Sequence, residues 1–474
     1  MRLSILHTND LHGHVDALAR ISSMAGTIRR QMAVEGHSVL LWDAGDAEDR
    51  MLLESDVTKG AAVMALLNAA GYNLAALGNA VVLSYGPQVA EALTQAATFP
   101  VLACNLFYPN PHVLVAGPQS SVLLKVGGLR IGVVGLTAAF ELYRMFGAVT
   151  PDPVPLVARE VGSLRARDAR FIALLSHLGT KGDAHLAEVV PGIDLIVAGH
   201  DHRVLEQPLE VGHTWIVSTG AYGRYLGRVD MEVDADTGRV LQRQAGLLPV
   251  TEEVPPDPAV YAALEGEHER VQALLATPVG HLAQDLDLAG DRECGMGDLM
   301  ADVLRERLGT DLAISAPGAM GSALKAGPVT LGDLCRACSS PGNPARAVLT
   351  GAEILTLLER GLDPEVCECA PKALRGQRMG IPQVSGLRYR MRPGAPAGER
   401  LAGAWAGDEP LDPGRTFTVA SSDLEFSGQF GYLSLPDSEV TYEVPTVLRE
   451  ALQEHLACRE VVRVAVGGRI TAES

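Results

Sequence analysis

Along the first 250 residues short apolar runs alternate with longer stretches whose apolar positions recur at helical spacing. Leu3–Leu6, Val39–Leu41, Val101–Cys104, Phe171–Leu175 and Leu195–Ala198 read as buried strands. Ala17–Met32, Gly60–Ala70 and Val89–Ala97 carry the 3.6-residue pattern of amphipathic helices. Strands alternating with helices predict an α/β layered domain. From Val122 the spacing tightens, and Trp215–Ser218 and Arg228–Val233 read as strands of a second sheet, so two facing sheets with helices outside are expected. Pro249–Pro258, PVTEEVPPDP, has the composition of a linker, and Ala259–Leu275 follows it as a connecting helix. From Val279 onward the pattern is that of a second, α+β unit. Its helices are expected at Glu293–Leu308 and Gly351–Leu362, its strands at Leu312–Ser315 and Phe417–Ser421. The predicted division is 1–248, a linker and helix over 249–277, and 278–474. A chain of 474 residues accommodates two to four domains, in keeping with this division.

Charge and composition narrow the partners. Lys+Arg 39 against Asp+Glu 57 leaves a net charge of −18, which argues against nucleic acid or an anionic membrane as the main partner. Aromatic residues make up 4%, too few for a platform that stacks single-stranded bases. No apolar run approaches the roughly 20 residues of a membrane span, and Leu3–Leu6 is too short for a signal-peptide core. The expected location is cytoplasmic, or exported only if a leader upstream of Met1 was removed. A small anionic substrate remains compatible with the charge, because a bound metal reverses the local field.

The candidate chemistry sits at strand ends. SILHTNDLHGH places Asp10 and His12 past the first strand, and VLLWDAGD places Asp46 past the second. LAALGN does the same for Asn79, ALLSHLG for His177, and LIVAGHDH for His200 and His202. Open α/β sheets bind ligands beyond the carboxyl ends of their strands. A single DxH or HxH is more often a surface or capping feature, but five such segments at strand ends are hard to assign to turns. Two Asp, one Asn and four His suit divalent Mn, Zn or Fe, and seven side chains suit two ions sharing a bridging carboxylate. His7 counts to the opposite face of its strand and reads as structural. His14, His37, His112, His185 and His213 read as structural or surface residues too. Cys335-Arg-Ala-Cys338 and Cys367-Glu-Cys369 form a CxxC and a CxC that could hold a structural zinc.

ILHTNDLHG, DAGD, TKGAAVMALLNAAGYNLAALGN, IGVVGLT, LLSHLG and VAGHDH together resemble the 5′-nucleotidase and 2′,3′-cyclic-nucleotide phosphodiesterase family. ECGMGDLMADVL, GPVTLGDL, PGNPARAVLTGAEIL and QVSGLRYRM carry a fainter match to the family's substrate-binding domain. The resemblance implies an N-terminal four-layer α/β/β/α metallophosphoesterase sandwich and a C-terminal α+β substrate-binding domain. It implies Asp10, His12 and His202 on one ion, Asn79, His177 and His200 on the other, and Asp46 bridging. The implied activity is hydrolysis of a small phosphorylated, nucleotide-like substrate.

Three stretches depart from the family pattern. Where the family has Gly-Asn-His-acid and a nearby Asp, this chain reads Gly78-Asn79-Ala80-Val81-Val82-Leu83-Ser84-Tyr85. The His that would assist the leaving oxygen is replaced by Ala80, and His14 and Tyr85 are the nearest substitutes in sequence. The Asn-Gly-Gly-Gly-Ile-Arg-like loop is replaced by Ser315-Ala316-Pro317-Gly318-Ala319-Met320-Gly321-Ser322, which has no Arg. Ile381 or Pro382 stands where the first base-stacking aromatic would be, with Phe430 or Tyr432 as candidates for the second and Arg375, Arg378 and Arg388 for a phosphate grip. A metal-dependent phosphoester hydrolase is therefore expected. A metal-binding pseudoenzyme and a hydrolase of non-nucleotide phosphate or sulfur esters stand as alternatives.

Overall fold

The computed structural model describes residues 1–110, 112–371, 374, 377–426 and 432–473. The chain divides into two compact units, Met1–Val271 and Gln272–Ser474. In the first, one six-stranded sheet has the order β14-β13-β1-β2-β3-β4. Its strands are β1 (Arg2–Thr8), β2 (Ser38–Asp43), β3 (Leu74–Ala76), β4 (Val101–Leu102), β13 (Tyr225–Val233) and β14 (Val240–Pro249). β5 (Phe107–Pro109) and β6 (His112–Leu114) form a separate small hairpin. The second six-stranded sheet has the order β11-β12-β10-β9-β8-β7. It is built from β7 (Ser121–Val126), β8 (Leu129–Leu136), β9 (Phe171–Ser176), β10 (Leu195–Ala198), β11 (Leu209–Val211) and β12 (Thr214–Val217).

The layers follow from the side-chain pattern. Every residue of β9, FIALLS, is buried, as expected of a parallel strand covered on both faces. β13 alternates buried and half-buried positions. Leu3, Ile5, Trp42 and Leu74 of one sheet meet Val133, Phe171, Leu195 and Val197 of the other in one inter-sheet core. Helix α1 (Val15–Val34) buries Leu18, Ile21, Ala25, Ile28 and Met32 on one stripe and covers the first sheet with α3 (Ala61–Ala70). The outer face of the second sheet packs against α6 (Pro153–Ala166) and α7 (Thr180–Val189). This is the expected four-layer α/β/β/α sandwich. The short helices α2 (Leu53–Thr58), α4 (Asn79–Tyr85) and α5 (Ala90–Ala96) fill in on the side of the first sheet.

The Pro-rich segment is tied down rather than free. Arg20 donates to the Val254 carbonyl, Asp257 accepts from Ser22, and its N–H donates to Ala19. Val260 of α8 (Pro258–Leu275) is buried in the α1 core. His7 lies opposite Gly227 in the β1/β13 register, where any Cβ would overlap its ring. Burial pushes its pKa down to about 3, so it is a neutral packing residue.

The second unit holds a five-stranded mixed sheet in the order Gln383–Ser385, Leu312–Ser315, Thr416–Ser422, Pro344–Thr350, Val440–Tyr442. A four-stranded sheet runs Glu409–Pro410, Leu401–Ala406, Leu387–Met391, Ile470–Ala472. Helices α9 (Gly295–Leu308), α10 (Leu331–Ala337) and α11 (Gly351–Gly361) flank them; Thr330 with Asp333 and Thr350 with Glu353 cap α10 and α11 reciprocally. No helix among the described residues is long and apolar enough to cross a membrane.

The inter-sheet layer is close-packed at Gly135 of β8, where a Cβ would overlap Leu102 of β4. Gly135→Ala is expected to destabilise the protein by about 1–3 kcal/mol, measured by urea or thermal unfolding, because backbone must move to admit one methyl group.

Candidate metal centre

Register brings the candidate residues to one edge. In the first sheet Thr8 pairs with Asp43, so the turns carrying Asp10 and Asp46 start level. In the second, Ser176 pairs with Ala198, which aligns the turns of His177 and of His200 and His202. The backbones there are strained: Asp10, His12, Asp46, His200 and His202 all have φ between +46° and +85°. The turns interlock through hydrogen bonds. Asp10 N–H donates to Gly45 O, His12 N–H to Asp46 O, and His200 N–H to the Asp10 Oδ2 carboxylate oxygen at 2.9 Å.

Two groups of side chains can each hold a cation, Asp10/His12/His202 and Asp10/Asp46/His177, each with ligand atoms within 4.8 Å of one another. Asp10 belongs to both. His177 Nε2 lies 3.1 Å from Asp46 Oδ2 and 3.7 Å from Asp10 Oδ1. Asp10 Oδ1, His177 Nε2 and Asn79 Oδ1 are buried without a hydrogen-bond partner. Buried polar atoms are almost always satisfied. Three orphans from three strand ends, all of them good metal donors, fit a divalent cation pair. His200 joins through its N–H and its ring, whose centroid is 5.3 Å from that of His177.

Supporting contacts set the donors. His177 Nδ1 lies 2.7 Å from the Ala44 carbonyl, which fixes the proton on Nδ1 and turns the Nε2 lone pair inward. His12 Nδ1 is 3.5 Å from Asp49 Oδ2. Asp46 Oδ1 accepts the Ala80 N–H at 2.8 Å. Burial alone would lower the His177 pKa, but the negative charges of Asp46 and Asp10 raise it to about 10, and the same charges favour a cation in place of the Nε2 proton. Glycines make the room. A Cβ at Gly45 would be 2.7 Å from His177 Nδ1, and one at Gly199 would be 2.8 Å from both Ala44 O and His177 Nδ1.

Sequence reasoning did not find Asp49, Glu48, Phe140 or Tyr222. Glu48 is buried beside Gly60, and burial raises its pKa to about 7. Phe140 packs edge-on against His200, ring centroids 5.3 Å apart. Only its position two residues past Asp46 marks Glu48 in the sequence.

Ala80 and the two candidate acids named from the sequence, His14 and Tyr85, take different positions. Ala80 is half-buried, Val81 and Val82 of α4 lie in the core shared with α1 and α3, and Tyr85 is buried. Tyr85 lies under the Arg50 guanidinium, and burial pushes its phenol up to about 12. It is enclosed rather than open to reactants. His14 is exposed at the start of α1, its Nδ1 3.0 Å from the Leu11 carbonyl.

In the second unit two expectations are corrected. Tyr432 is wholly buried, and its hydroxyl donates to the Gly380 carbonyl at 2.7 Å, so it is a core residue and not a stacking surface. The four cysteines do not gather. Among the described residues the cation-holding groups are the two Asp/His triads alone. Cys338 lies in the α9/α10 core, where burial pushes its thiol up to about 12, whereas Cys367, at the end of the short helix Pro364–Cys367, packs against the other core. Ile381 is also buried in that second core. Arg378 is exposed on a cavity of about 660 Å³ that Ile381 and Arg400 also line. Arg388 stands over the Trp405 ring. Arg375 and Phe430 lie outside the described residues.

Residues 3–204 match the family model of calcineurin-like phosphoesterases, and residues 278–436 match that of the 5′-nucleotidase C-terminal domain. The chain is a metallophosphoesterase of the 5′-nucleotidase family. The metallophosphoesterase YunD of Bacillus subtilis, itself uncharacterised, is 29% identical over 96% of this chain and 99% of its own length. A 5′-nucleotidase of Diplobatis ommata is 25% identical over 99% of this chain and 89% of its own. The NAD nucleotidase structure of Haemophilus influenzae superposes with a TM-score of 0.64 over the full length of both chains at 17% identity, which speaks for the fold. The family consists of metal-dependent phosphoester hydrolases, which makes this chain a hydrolase that requires divalent metal.

Asp46→Asn is expected to lower bound metal to one ion or none by elemental analysis of protein reconstituted with Mn²⁺. Gly78→Ala should do the same without touching a donor, because its Cβ would overlap the Asp46 carboxylate.

Proposed function

We propose that this chain is a two-ion phosphoester hydrolase of the 5′-nucleotidase type, acting on a small nucleotide-like phosphate ester. The observation that carries this reading is the pair of triads sharing Asp10, with Asp10 Oδ1 and His177 Nε2 orphaned within them and Asn79 Oδ1 orphaned at the end of a neighbouring strand. In it Asp10, His12 and His202 hold one ion, Asn79, His177 and His200 the other, and Asp46 lies between. Mn²⁺, Zn²⁺ and Fe²⁺ all suit this donor set. Such ions, when bound, supply an activated water and neutralise charge on the phosphoryl oxygens. The cytoplasmic location expected from the sequence is part of the proposal.

The chain's own residues then define what is missing. Asp46 is fixed by the Ala80 N–H and by His177, and His12 by Asp49. Ala80 and Leu83 have no proton to give to a leaving oxygen, and Tyr85 is enclosed. His14 is the remaining candidate. A positioned acid contributes roughly 10²–10⁴-fold. A non-nucleotide ester is the second reading, favoured by the burial of both Ile381 and Tyr432 where base-stacking rings were expected.

The test is kcat/KM with Mn²⁺ for adenosine monophosphate against a nitrophenyl phosphate. The acidic phenol needs little protonation and should turn over, with the nucleotide slower by about 10²–10⁴-fold. Ala80→His should change the ratio little, because no orienting Asp accompanies it. Equal and fast hydrolysis of both by the native protein would show that another acid serves the leaving group.

A further inference from the structure

Resting on the two-ion reading, we infer that Tyr222 is a positioning residue that holds the His202 imidazole toward the Asp10/His12/His202 ion. Metal-bound imidazoles are normally oriented by an acceptor on the second ring nitrogen. His177 has the Ala44 carbonyl and His12 has Asp49. For His202 the described residues provide no such acceptor; its Nε2 approaches His12 Nε2 at 3.1 Å and Asp10 Oδ1 at 3.4 Å. Apart from its fellow ligand His12, whose ring centroid is 5.1 Å away, the ring meets Tyr222, with centroids 5.5 Å apart and planes at 75°, an edge-to-face contact. The same phenol ring lies 5.7 Å from His12 and 4.8 Å from His14.

The backbone supports a functional reading. Tyr222 has φ +65°, a conformation that a bulky residue adopts only when its surroundings impose it. Eight non-glycine residues among the described residues have positive φ, and five of them are the proposed ligands Asp10, His12, Asp46, His200 and His202. Tyr222 is held among them by its N–H, which donates to the Asp10 carbonyl at 2.8 Å. Glycines 220 and 223 on either side also have positive φ. Glycine would suit position 222 by conformation alone. A half-exposed tyrosine there costs backbone strain, and its ring spends that cost on two ligand imidazoles.

The strain separates positioning from packing. In Tyr222→Gly the left-handed backbone is relieved while the ring contact is lost. Mn²⁺ titrated calorimetrically into metal-free native protein should show two binding steps. In Tyr222→Gly one step should weaken by about 10–100-fold, the usual effect of removing an orienting contact, while the Tm of the metal-free protein stays equal or rises. Tyr222→Phe keeps the ring and should bind both ions as the native protein does. Unchanged binding in Tyr222→Gly would overturn the inference and leave the two-ion reading standing. Weakened binding together with a lower metal-free Tm would also overturn it, by making the ring a packing residue. A native protein that takes up no Mn²⁺ would overturn both.

Discussion

A carboxylate cannot be buried without compensation, and Asp10 is fully buried with one oxygen unsatisfied. The rest of the first unit is arranged around that requirement. Oδ2 is met by the Asn9 amide and the His200 N–H, while Oδ1 is left facing three imidazoles. The two sheets must end level for those groups to arrive together. The strained turns, the missing Cβ atoms at Gly45, Gly78 and Gly199, and the backbone bonds between turns are the means of bringing them within reach.

Much of this was legible in the chain. Buried parallel strands write themselves as short unbroken apolar runs, and the residues after each run are placed by topology alone. That is why Asp10, Asp46, His177 and His202 were found together, and why strands such as Leu195–Ala198 and Leu312–Ser315 agree with the sequence reading to the residue. His7 was separable for the same reason, since a period of two assigns it to the other face.

The remainder depends on contacts that no local pattern encodes. Tyr85 and Tyr432 read as open aromatics because a short helix or loop gives too few residues to define its buried face. Both prove to be enclosed. The cysteine pairs had suitable spacing, but pairing in space depends on which core each helix joins. Tyr222 carries no motif of its own. Its role depends on the ring's distance to His202, and its only mark in the sequence is the glycine two before it and the glycine after.

The apolar register of α4 has a consequence for design. Val81 and Val82 are fully buried, and Leu83 packs on the same core. A polar side chain introduced at any of the three would exchange packing for an unsatisfied buried group. Ala80, half-buried at the start of the same helix, is a position where a polar group can be added without dismantling that core.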